Sequence, residues 1–487
     1  MTSFRRTSLA TAVIVFPAVA VLTLLLRGAE TGPARNQDAA AVNALQLIAQ
    51  GRQIFRYDTF GDQAFWGDTL KLHQAIEGAA LGGVGPGVSP ATALQVGLKV
   101  DIDALPASTT ENLLHGRVNL NDPAVTVALL RANAVVGVTG VFDSSGSLQS
   151  MGIQCALCHS TVDNSFPQLC AGAIQTNPGT GCIGHRLDGW ANRDLNVGAI
   201  VALAPDLSAF ASLLKTDQQT VRKVLNSWGP GKFDAELILD GRAVNPQQVT
   251  DGVVTGTNVP GATLIPPAFG LGGVNLHTWT GWGSIPHWNA FVATLEMHGK
   301  GRFWDHRLNN PTQFPIAAAN GFGDLPHISP DDDLITSKLQ ALQFYQLALS
   351  SPQPRHGSFD AAAAARGDEL FSGKAQCNSC HVEPLWTDSG WNMHAPSEVC
   401  IDSFQADRAP DQRYRTSPIG GLFTHMKGGF YHDGRFPTLD KVVDHYNSCM
   451  SLGLTTSEKS DLVQYLLSLT FGPQVTTGAR RQRSSRP

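Results

Sequence analysis

Cys155-Ala156-Leu157-Cys158-His159 and Cys377-Asn378-Ser379-Cys380-His381 are two copies of the pattern C-x-x-C-H. In this pattern two thiols on one turn of chain form thioether bonds to the vinyl groups of a haem, and the adjacent histidine ligates the iron from one face. A bare C-x-x-C also occurs in redox disulfides and zinc sites, but the trailing histidine and the lack of a second C-x-x-C nearby argue against zinc. The motifs therefore predict two covalently bound haem c groups, with His159 and His381 as proximal iron ligands.

The composition fits a loop-rich protein wrapped around cofactors. The chain has 487 residues, of which 42% are hydrophobic and only 15% charged, and it contains 49 Gly and 28 Pro. This length suggests two or three domains. The formal net charge is -5, and no basic block occurs inside the globular part, which argues against nucleic-acid binding.

Residues 1–28 have the form of an export signal or a membrane anchor. Arg5 and Arg6 precede an uncharged apolar run from Leu9 to Leu26, which is barely long enough to span a bilayer. No clear A-x-A cleavage site follows, so a cleaved signal and an uncleaved anchor both remain open. The arginines would stay on the cytoplasmic side and place the rest of the chain in the periplasm, where bacteria attach haem c.

Four of the eight cysteines lie outside the haem motifs, namely Cys170, Cys182, Cys400 and Cys449. An even number of remaining cysteines in an exported protein favours disulfides. Cys170 with Cys182 would close a short loop after the first motif, and Cys400 with Cys449 would close a longer loop near the second. Four buried free thiols are the alternative.

Hydrophobic periodicity and the spacing of the motifs predict a mainly α fold with two cytochrome c-like haem lobes and long loops. We expect helices over residues 39–55, 334–349 and 359–371. Thr455 and Glu458 have the pattern of a capping box at the start of a final helix. No sequence repeat is apparent beyond the two haem motifs.

The domain boundaries follow from these elements. An N-terminal haem c domain is expected over residues 38–350, with an irregular insertion at about 200–300. Ser351-Pro352-Gln353-Pro354 marks a linker to a C-terminal cytochrome c domain over residues 358–473. The basic, polar segment 474–487 is expected to be a disordered tail.

Several further stretches resemble the bacterial dihaem cytochrome c peroxidase and MauG superfamily. Gly184-His185-Arg186 and Phe303-Trp304-Asp305 each match a family motif, and Tyr431-His432-Asp433-Gly434-Arg435-Phe436 with Thr438-Leu439 follows the family's His-Asp-Gly…Thr-Leu pattern. The resemblance covers about half of the chain, roughly residues 150–200, 300–310 and 358–470. It is clearest in the C-terminal cytochrome c domain.

The resemblance implies roles for individual residues. His185 would be the exchangeable second axial ligand of the first haem, and Trp304 would carry electrons between the haems. Tyr446 stands where the peroxidases have a methionine ligand of the second haem, as in MauG; the alternatives that remain open are His445, Met426, Met450 and His394. A phenolate is a hard donor that favours ferric iron. The family also holds a calcium ion between its lobes, for which Asn192 is the one side chain we suggest.

Two further site residues belong to the C-terminal motif that carries the resemblance. His432 is expected near the second haem as a hydrogen-bonding neighbour. The Arg435 guanidinium matches a carboxylate in a bidentate fork and would bind a haem propionate. A surface salt bridge is the alternative for Arg435.

Two departures from the family bear on activity. About 100 extra residues separate the Gly-His-Arg and Phe-Trp-Asp segments, and the family's acidic residue after the second segment has no clear counterpart in Pro315-Ile316-Ala317-Ala318-Ala319-Asn320. His277, His287 or His298 are candidates to replace that acid. The aromatic stretch from His277 to Trp288 would line a distal pocket or an electron route, or else pack as core.

We therefore predict a dihaem c-type oxidoreductase that transfers electrons between its haems and activates peroxide at the haem with the exchangeable ligand. Its electron donor would be a small cytochrome c or copper protein. A dioxygen-using dihaem oxygenase similar to the rubber oxygenases is the first alternative. A non-catalytic dihaem electron carrier is the second.

Overall fold

The structure is a computed structural model that describes residues 38–170, 174–247, 249–250, 253–254, 259–325, 328–388 and 392–471. The predicted export segment 1–28 and the predicted tail 474–487 lie outside these residues. The chain divides into two compact units, Met1–Leu45 and Gln46–Pro487. The described part of the first unit is the start of one helix, and every contact discussed below lies within the second unit.

The fold is mainly helical, as predicted. The α-helices, in chain order, are α1 (Ala39–Tyr57), α2 (Leu72–Glu77), α3 (Pro90–Gln95), α4 (Ala107–Leu114), α5 (Pro123–Arg131), α6 (Ala156–His159), α7 (Val197–Val201), α8 (Ser208–Leu213), α9 (Gln218–Ser227), α10 (Leu237–Asp240), α11 (Ile285–Phe291), α12 (Pro315–Asn320), α13 (Leu339–Ala348), α14 (Ala361–Ser372), α15 (Phe404–Asp407), α16 (Leu439–Cys449) and α17 (Thr456–Ser468). Helices α1, α13 and α14 match the three predicted helices within a few residues, except that α13 begins later because 336–338 form a 3₁₀ turn. Among the described residues, no helix is both long and apolar enough to cross a membrane.

Shorter helical turns occur between the α-helices. Two are π-helical, Ala64–Thr69 and Val292–Glu296. The others are 3₁₀ turns at Ala79–Leu81, Ile102–Ala104, Pro167–Leu169, His306–Asn309, Pro330–Asp332, Thr336–Lys338, Cys377–Ser379, Pro396–Val399 and Leu422–Thr424.

The β-structure of the described residues consists of small two-stranded sheets. One pair is parallel, β1 (Val100–Asp101) with β5 (Ile183–Gly184). The antiparallel pairs are β2 (Val138–Phe142) with β3 (Leu148–Ile153), β4 (Ser160–Val162) with β6 (Arg186–Asp188), β7 (Lys232–Phe233) with β12 (Thr263–Leu264), β8 (Val244–Asn245) with β11 (Val259–Pro260), β9 (Val249–Thr250) with β10 (Val253–Val254), β13 (Phe303–Trp304) with β14 (Asp324–Leu325), and β15 (Met393–His394) with β16 (Tyr414–Arg415). Such short pairs cannot form a core by themselves and serve to fix loops.

Helices α14 and α17 cross at close range on either side of the second motif. A Cβ on Gly367 of α14 would lie 2.2 Å from the Asp461 carbonyl oxygen, so only glycine permits this approach. One turn later the Phe371 ring packs edge-on against Tyr465, with centroids 5.2 Å apart and planes at 62°. Helix α17 begins with the predicted capping box, in which Thr455 and Glu458 bond each other's backbone.

Helices α1 and α13 repeat this crossing around the first motif. A Cβ on Gly51 would lie 2.0 Å from the Ala341 carbonyl oxygen. The Phe55 and Tyr345 rings meet with centroids 5.5 Å apart and planes at 61°. Both crossings use Gly-x-x-x-Phe in one helix and a Tyr in the other.

The region expected to be an irregular insertion, about 200–300, is more regular than predicted. Its described residues include helices α8 to α11 and the pairs β7–β12 and β8–β11. Helix α9 starts where Asp217 accepts a hydrogen bond from the Thr220 backbone, and it buries Val221 and Leu225 on one face. These local signals were present in the sequence and were outweighed by the high Gly and Pro content.

Buried side chains form separate clusters around the two motifs. The largest cluster contains Leu157 of the first motif, and a second lies between α14, α16 and α17. A third contains Trp282, Phe291 and Phe314. The two predicted disulfides are both present, Cys170–Cys182 and Cys400–Cys449.

Candidate functional site

The two motif histidines are held in the same way. The His159 ring donates from Nδ1 to the Pro266 carbonyl oxygen at 3.1 Å, and the His381 ring donates from Nδ1 to the Trp386 carbonyl oxygen at 3.0 Å. A carbonyl only accepts, so Nδ1 carries the proton and Nε2 keeps its lone pair for a metal. Burial lowers the pKa of His159 to about 4 and also lowers that of His381, which keeps both rings neutral.

A cavity of about 250 Å³, here called the C-terminal cavity, opens beside the second motif. Cys377, Cys380 and His381 line it together, and most of the remaining wall is apolar. The two thiols are unbonded, as thioether attachment requires. The cavity therefore fits a haem c held by these three residues.

The C-terminal cavity narrows the choice of second ligand for its haem. Tyr446, Met450 and His394 line it, whereas His445 and Met426 do not. The His394 ring is already engaged, because Nδ1 faces Glu398 at 3.1 Å and Nε2 faces Thr416 at 3.0 Å. Of the candidates from the sequence, Tyr446 and Met450 remain on the wall of the cavity.

Tyr446 has a second tyrosine beside it. The ring of Tyr431 lies with its centroid 6.1 Å from that of Tyr446, and both rings line the C-terminal cavity. Burial raises the pKa of Tyr446 to about 12, and the hydrogen bond with Tyr431 acts in the opposite direction. His432 is also on the cavity wall, where it is buried and stacks on Tyr414 with centroids 5.1 Å apart.

The first motif lies near a smaller cavity, here called the acid cavity, of about 40 Å³. Trp66, Phe210, Asp234, Glu296 and His298 are on its wall, with other apolar side chains from the 200–300 region. This volume admits a molecule the size of water, peroxide or dioxygen. Three of its residues come from the π-helical turns, which place Trp66, Leu295 and Glu296 on the wall.

Glu296 is an uncompensated acid close to the first motif. Its Oε1 atom is buried and has no hydrogen-bond partner among the described residues. Burial first, and then the neighbouring Glu236 and Asp234, raise its pKa well above the usual range, which favours the neutral carboxyl. The pKa of the Cys158 thiol is raised to about 12, first by burial and then by the charge of Glu296. Glu296 therefore lies close to the first motif.

His298 stands next to this acid with an unusual backbone. Its φ is 60°, in the left-handed region that non-glycine residues rarely adopt. The ring stacks on Phe65 with centroids 3.5 Å apart, and burial lowers its pKa to about 4. Of the three histidines suggested as substitutes for the missing acid, His298 is the one on the wall of the acid cavity.

His185 and Trp304 lie at the surface. The His185 side chain is 50% exposed, and its Nδ1 lies 2.9 Å from Asp103 Oδ1. Trp304 in β13 is 52% exposed. The predicted axial ligand and the predicted inter-haem tryptophan are thus both accessible to solvent in this conformation.

Asp305, the residue after Trp304, bonds side chains of the aromatic stretch from His277 to Trp288. Asp305 accepts hydrogen bonds from Trp282 Nε1 at 2.8 Å and His287 Nε2 at 3.0 Å. Arg307 donates to it as well. Burial raises the pKa of Asp305, but these hydrogen bonds outweigh it and hold the pKa below the usual range. Most of the stretch is therefore packed as core, although Trp279 lines the C-terminal cavity.

The remaining predicted ligands have partners within the chain. Arg435 is buried and pairs with Asp433 at 2.8 Å and with Asp402. The Asn192 side chain donates to the Gly97 carbonyl at 3.0 Å and accepts from the Asp194 backbone at 3.3 Å. Among the described residues, no group of three His, Cys, Asp or Glu side chains is placed to hold a metal ion.

Sequence reasoning missed three residues that face the cavities, Glu296, Arg193 and Arg415. Glu296 lies before the Phe-Trp-Asp segment, whereas the acid was sought after it. Arg193 and Arg415 line the C-terminal cavity. Arg193 belongs to Asn192-Arg193, which follows the Gly-His-Arg segment of the resemblance, but it was given no role, and no motif includes Arg415. The place of both on the cavity wall arises only from tertiary packing.

Comparison with known proteins places the chain among its relatives. No family model matches it. It is 27% identical over 161 residues to the methylamine utilization protein MauG of Methylorubrum extorquens, covering 29% of this chain and 46% of MauG. It is 28% identical over 227 residues to the cytochrome-c peroxidase IdrP1 of Denitromonas iodatirespirans, covering 36% of this chain and 58% of IdrP1. The chain is related to the MauG and dihaem cytochrome c peroxidase superfamily.

The chain spans about half the length of these curated relatives. Solved structures in the superfamily show a distant likeness. A MauG-like protein associated with microbial copper homeostasis gives a TM-score of 0.28 at 19% identity, over 47% of this chain and 80% of that one. The diheme peroxidase BthA of Burkholderia thailandensis gives 0.27 at 15% identity, over 54% and 83%. The similarity to these curated proteins confirms the resemblance stated from the sequence motifs.

Proposed function

We propose that the chain is a periplasmic dihaem c-type oxidoreductase in which electrons pass between two haems and peroxide is activated near the first. Cys155, Cys158 and His159 hold one haem, and the second motif holds the other. The haems supply the redox chemistry, whereas the chain supplies ligation, burial and hydrogen bonding. The lobe boundaries expected from the sequence, 38–350 and 358–473, belong to this proposal and are supported by the two similar helix crossings.

The observation that carries the proposal is the acid cavity beside the first motif. A pure electron carrier needs no such cavity. Peroxide cleavage needs a group that takes a proton from one peroxide oxygen and returns it to the other. Glu296 Oε1 can exchange a proton with a molecule in the cavity, because no side chain bonds it. As carboxylate it would take the proton from one peroxide oxygen, and as carboxyl, the form that its raised pKa favours, it would return that proton to the leaving oxygen.

A short connection joins the two sites. Pro266 accepts the His159 hydrogen bond through its carbonyl and also lines the C-terminal cavity. We place the inter-haem electron path there. Trp304, being exposed, is better placed to receive electrons from an external donor such as a small cytochrome c or copper protein.

In this proposal His185 is a second ligand of the first haem only in another conformation. In the present conformation it is at the surface beside Asp103. His185 would serve as a second ligand to a haem held by the first motif only after it leaves this contact with Asp103.

A dioxygen-using oxygenase is the second candidate, and one observation favours it. A further cavity of about 90 Å³ adjoins the first motif at Leu157, and its exposed walls are wholly apolar. Dry apolar cavities accept small apolar molecules. Dioxygen would partition into such a cavity, whereas peroxide would favour the acid cavity.

The test compares Glu296→Gln with Glu236→Gln. Both changes remove a buried carboxyl from the same acidic group, but Glu236 already accepts a hydrogen bond from Gln405 at 2.8 Å and does not line the acid cavity. We expect Glu296→Gln to slow the peroxide-induced change in the haem spectrum by about 100-fold or more and to slow cyanide binding. Glu236→Gln removes a charge that raises the Glu296 pKa but no group on the cavity wall, so it should change both rates far less than Glu296→Gln does.

Three results would count against the proposal. Two low-spin haems that never bind cyanide would support the electron carrier. Equal rates in the Glu296→Gln variant and the wild type would remove the acid from the reaction. Rapid reaction of the reduced protein with dioxygen, without a response to peroxide, would favour the oxygenase.

A further inference from the structure

Arg193 is a buried cation without an anionic partner. Its side chain is only 1% exposed, and its Nε and Nη1 atoms have no hydrogen-bond partner among the described residues. Burial lowers its pKa to about 9. Removing a guanidinium from water without pairing it costs several kcal/mol, so an arginine in this position implies an anion that completes the site.

Arg193 lines the C-terminal cavity together with Cys377 and Cys380. Among the described residues no salt bridge to Arg193 is present, and the two groups whose pKa its charge lowers are Lys232 and His425. Neither is an acid. The missing anion must therefore enter the cavity from outside the chain.

Arg415 is a second guanidinium on the same wall. It donates to the backbone carbonyls of Leu276, at 2.9 Å, and Thr278, rather than to a carboxylate. Burial lowers its pKa to about 10, and its charge in turn helps to lower the pKa of the nearby His277. The cavity thus carries two arginines that are not neutralised.

We propose that Arg193, assisted by Arg415, binds the propionate carboxylates of the second haem. The inference rests on the proposed attachment of that haem at Cys377 and Cys380. A guanidinium and a carboxylate pair through two parallel hydrogen bonds, which satisfies the orphaned nitrogens and the buried charge at once. This assignment replaces Arg435, which the sequence suggested, because Arg435 is neutralised by Asp402 and Asp433 and is absent from the cavity wall.

The same residue joins the two haem sites. The backbone of Asn192, directly before Arg193, donates to the Cys158 carbonyl oxygen at 2.9 Å. Arg193 therefore belongs to the segment bound to the first motif, while its side chain reaches the second haem. Propionate binding would fix the spacing of the two haems through this residue.

The experiment measures the reduction potential of each haem against pH in the wild type and in Arg193→Met and Arg193→Lys. Next to Arg193 the propionate stays ionised, so the wild-type potential of the second haem should be nearly independent of pH between about 5 and 8. In Arg193→Met the pKa of the propionate should rise, because its acid dissociation constant falls about tenfold or more. The reduction potential of the second haem should then drop as pH rises through this higher pKa. Arg193→Lys should restore much of the flat profile.

Arg435→Met is the matched control, because it removes a buried but neutralised guanidinium. It should lower stability and leave the pH profile of the second haem flat. Haem content by pyridine haemochrome and intact mass separates the two hypotheses. Fewer than two haems in the wild type would defeat the proposed function, whereas two haems with an unchanged profile in Arg193→Met would defeat only the propionate assignment.

Two further outcomes overturn the assignment. One is a new pH dependence confined to the first haem. The other is an identical profile in Arg193→Met and Arg193→Lys, which would show that charge is not what matters. If Arg193→Met does not fold, redox-difference infrared spectra of wild type labelled with ¹⁵N-arginine give the readout. Guanidinium bands that shift with the redox state of the second haem support the proposal, and their absence contradicts it.

Discussion

Replacing Arg408 by methionine should cost about 3–5 kcal/mol of unfolding free energy. Arg408 has no exposed surface and bonds two equally buried carboxylates, Asp234 and Asp240, each at 2.8 Å. Removing the guanidinium leaves both carboxylates in a dry environment with no countercharge. An exposed pair is worth only about 0.2–1 kcal/mol, so the size of the loss distinguishes a buried cluster from a surface contact.

The structure also dictates how the loss can be recovered. Replacing a whole buried ion cluster by neutral groups is often close to neutral in stability, because the desolvation cost disappears with the charges. The triple variant Arg408→Met, Asp234→Asn, Asp240→Asn should therefore regain most of what the single variant loses. Since Arg408 lies in the C-terminal half and both acids lie near residue 240, the cluster also attaches the 200–300 region to the C-terminal part of the chain.

The assay is equilibrium unfolding in urea at pH 7, followed by far-ultraviolet circular dichroism. Arg117→Met serves as the control, because Arg117 and its partner Glu111 are 53% and 66% exposed. A loss below 1 kcal/mol in Arg408→Met, or one equal to that of Arg117→Met, would refute the argument. A triple variant no more stable than the single one would show that the remaining charges are not the cause.

Two other predictions concern stability. Because hydrogen bonds lower the pKa of Asp305 against its burial, its contribution is full above the ordinary Asp pKa of about 4 and fades as pH falls towards the folded-state value. Asp305→Asn should thus cost about 1.5–3 kcal/mol at pH 7, and the gap from wild type should narrow by pH 3; a constant gap would contradict this. Gly367→Ala should lower the melting temperature, because its Cβ would lie 2.2 Å from the Asp461 carbonyl oxygen; an unchanged melting temperature would show that the crossing can open freely.

The features that could be predicted from the sequence are those formed by residues close together in the chain. The spacing within C-x-x-C-H predicts both haem attachment sites, and an even number of remaining cysteines led to both disulfides. The capping box at Thr455 depends on four consecutive residues and was equally readable. Each of these features is determined by neighbours in the chain.

Features that depend on tertiary packing were not readable in the same way. Arg435 was chosen as a propionate ligand because its side chain has the right chemistry, but Asp402, distant in sequence, neutralises it. Arg193 has the same chemistry and was passed over, because its lack of an acidic neighbour is visible only in the fold. The repeat of Gly51 and Gly367 was present in the sequence, yet two residues in each helix are too few to stand out.

Tyr446 and Arg193, which both line the C-terminal cavity, should have opposite effects on the reduction potential of the second haem. A phenolate ligand from Tyr446 favours ferric iron and lowers the reduction potential, whereas the Arg193 cation favours the less positive ferrous state and raises it. Tyr446→Phe should therefore raise the potential of the second haem and change its absorption spectrum, and Arg193→Met should lower the potential at pH 8 without removing an iron ligand. Potentiometry with optical detection measures both. If the two variants shifted the potential in the same direction, one of the two residues would not act on the haem as its position in the cavity implies.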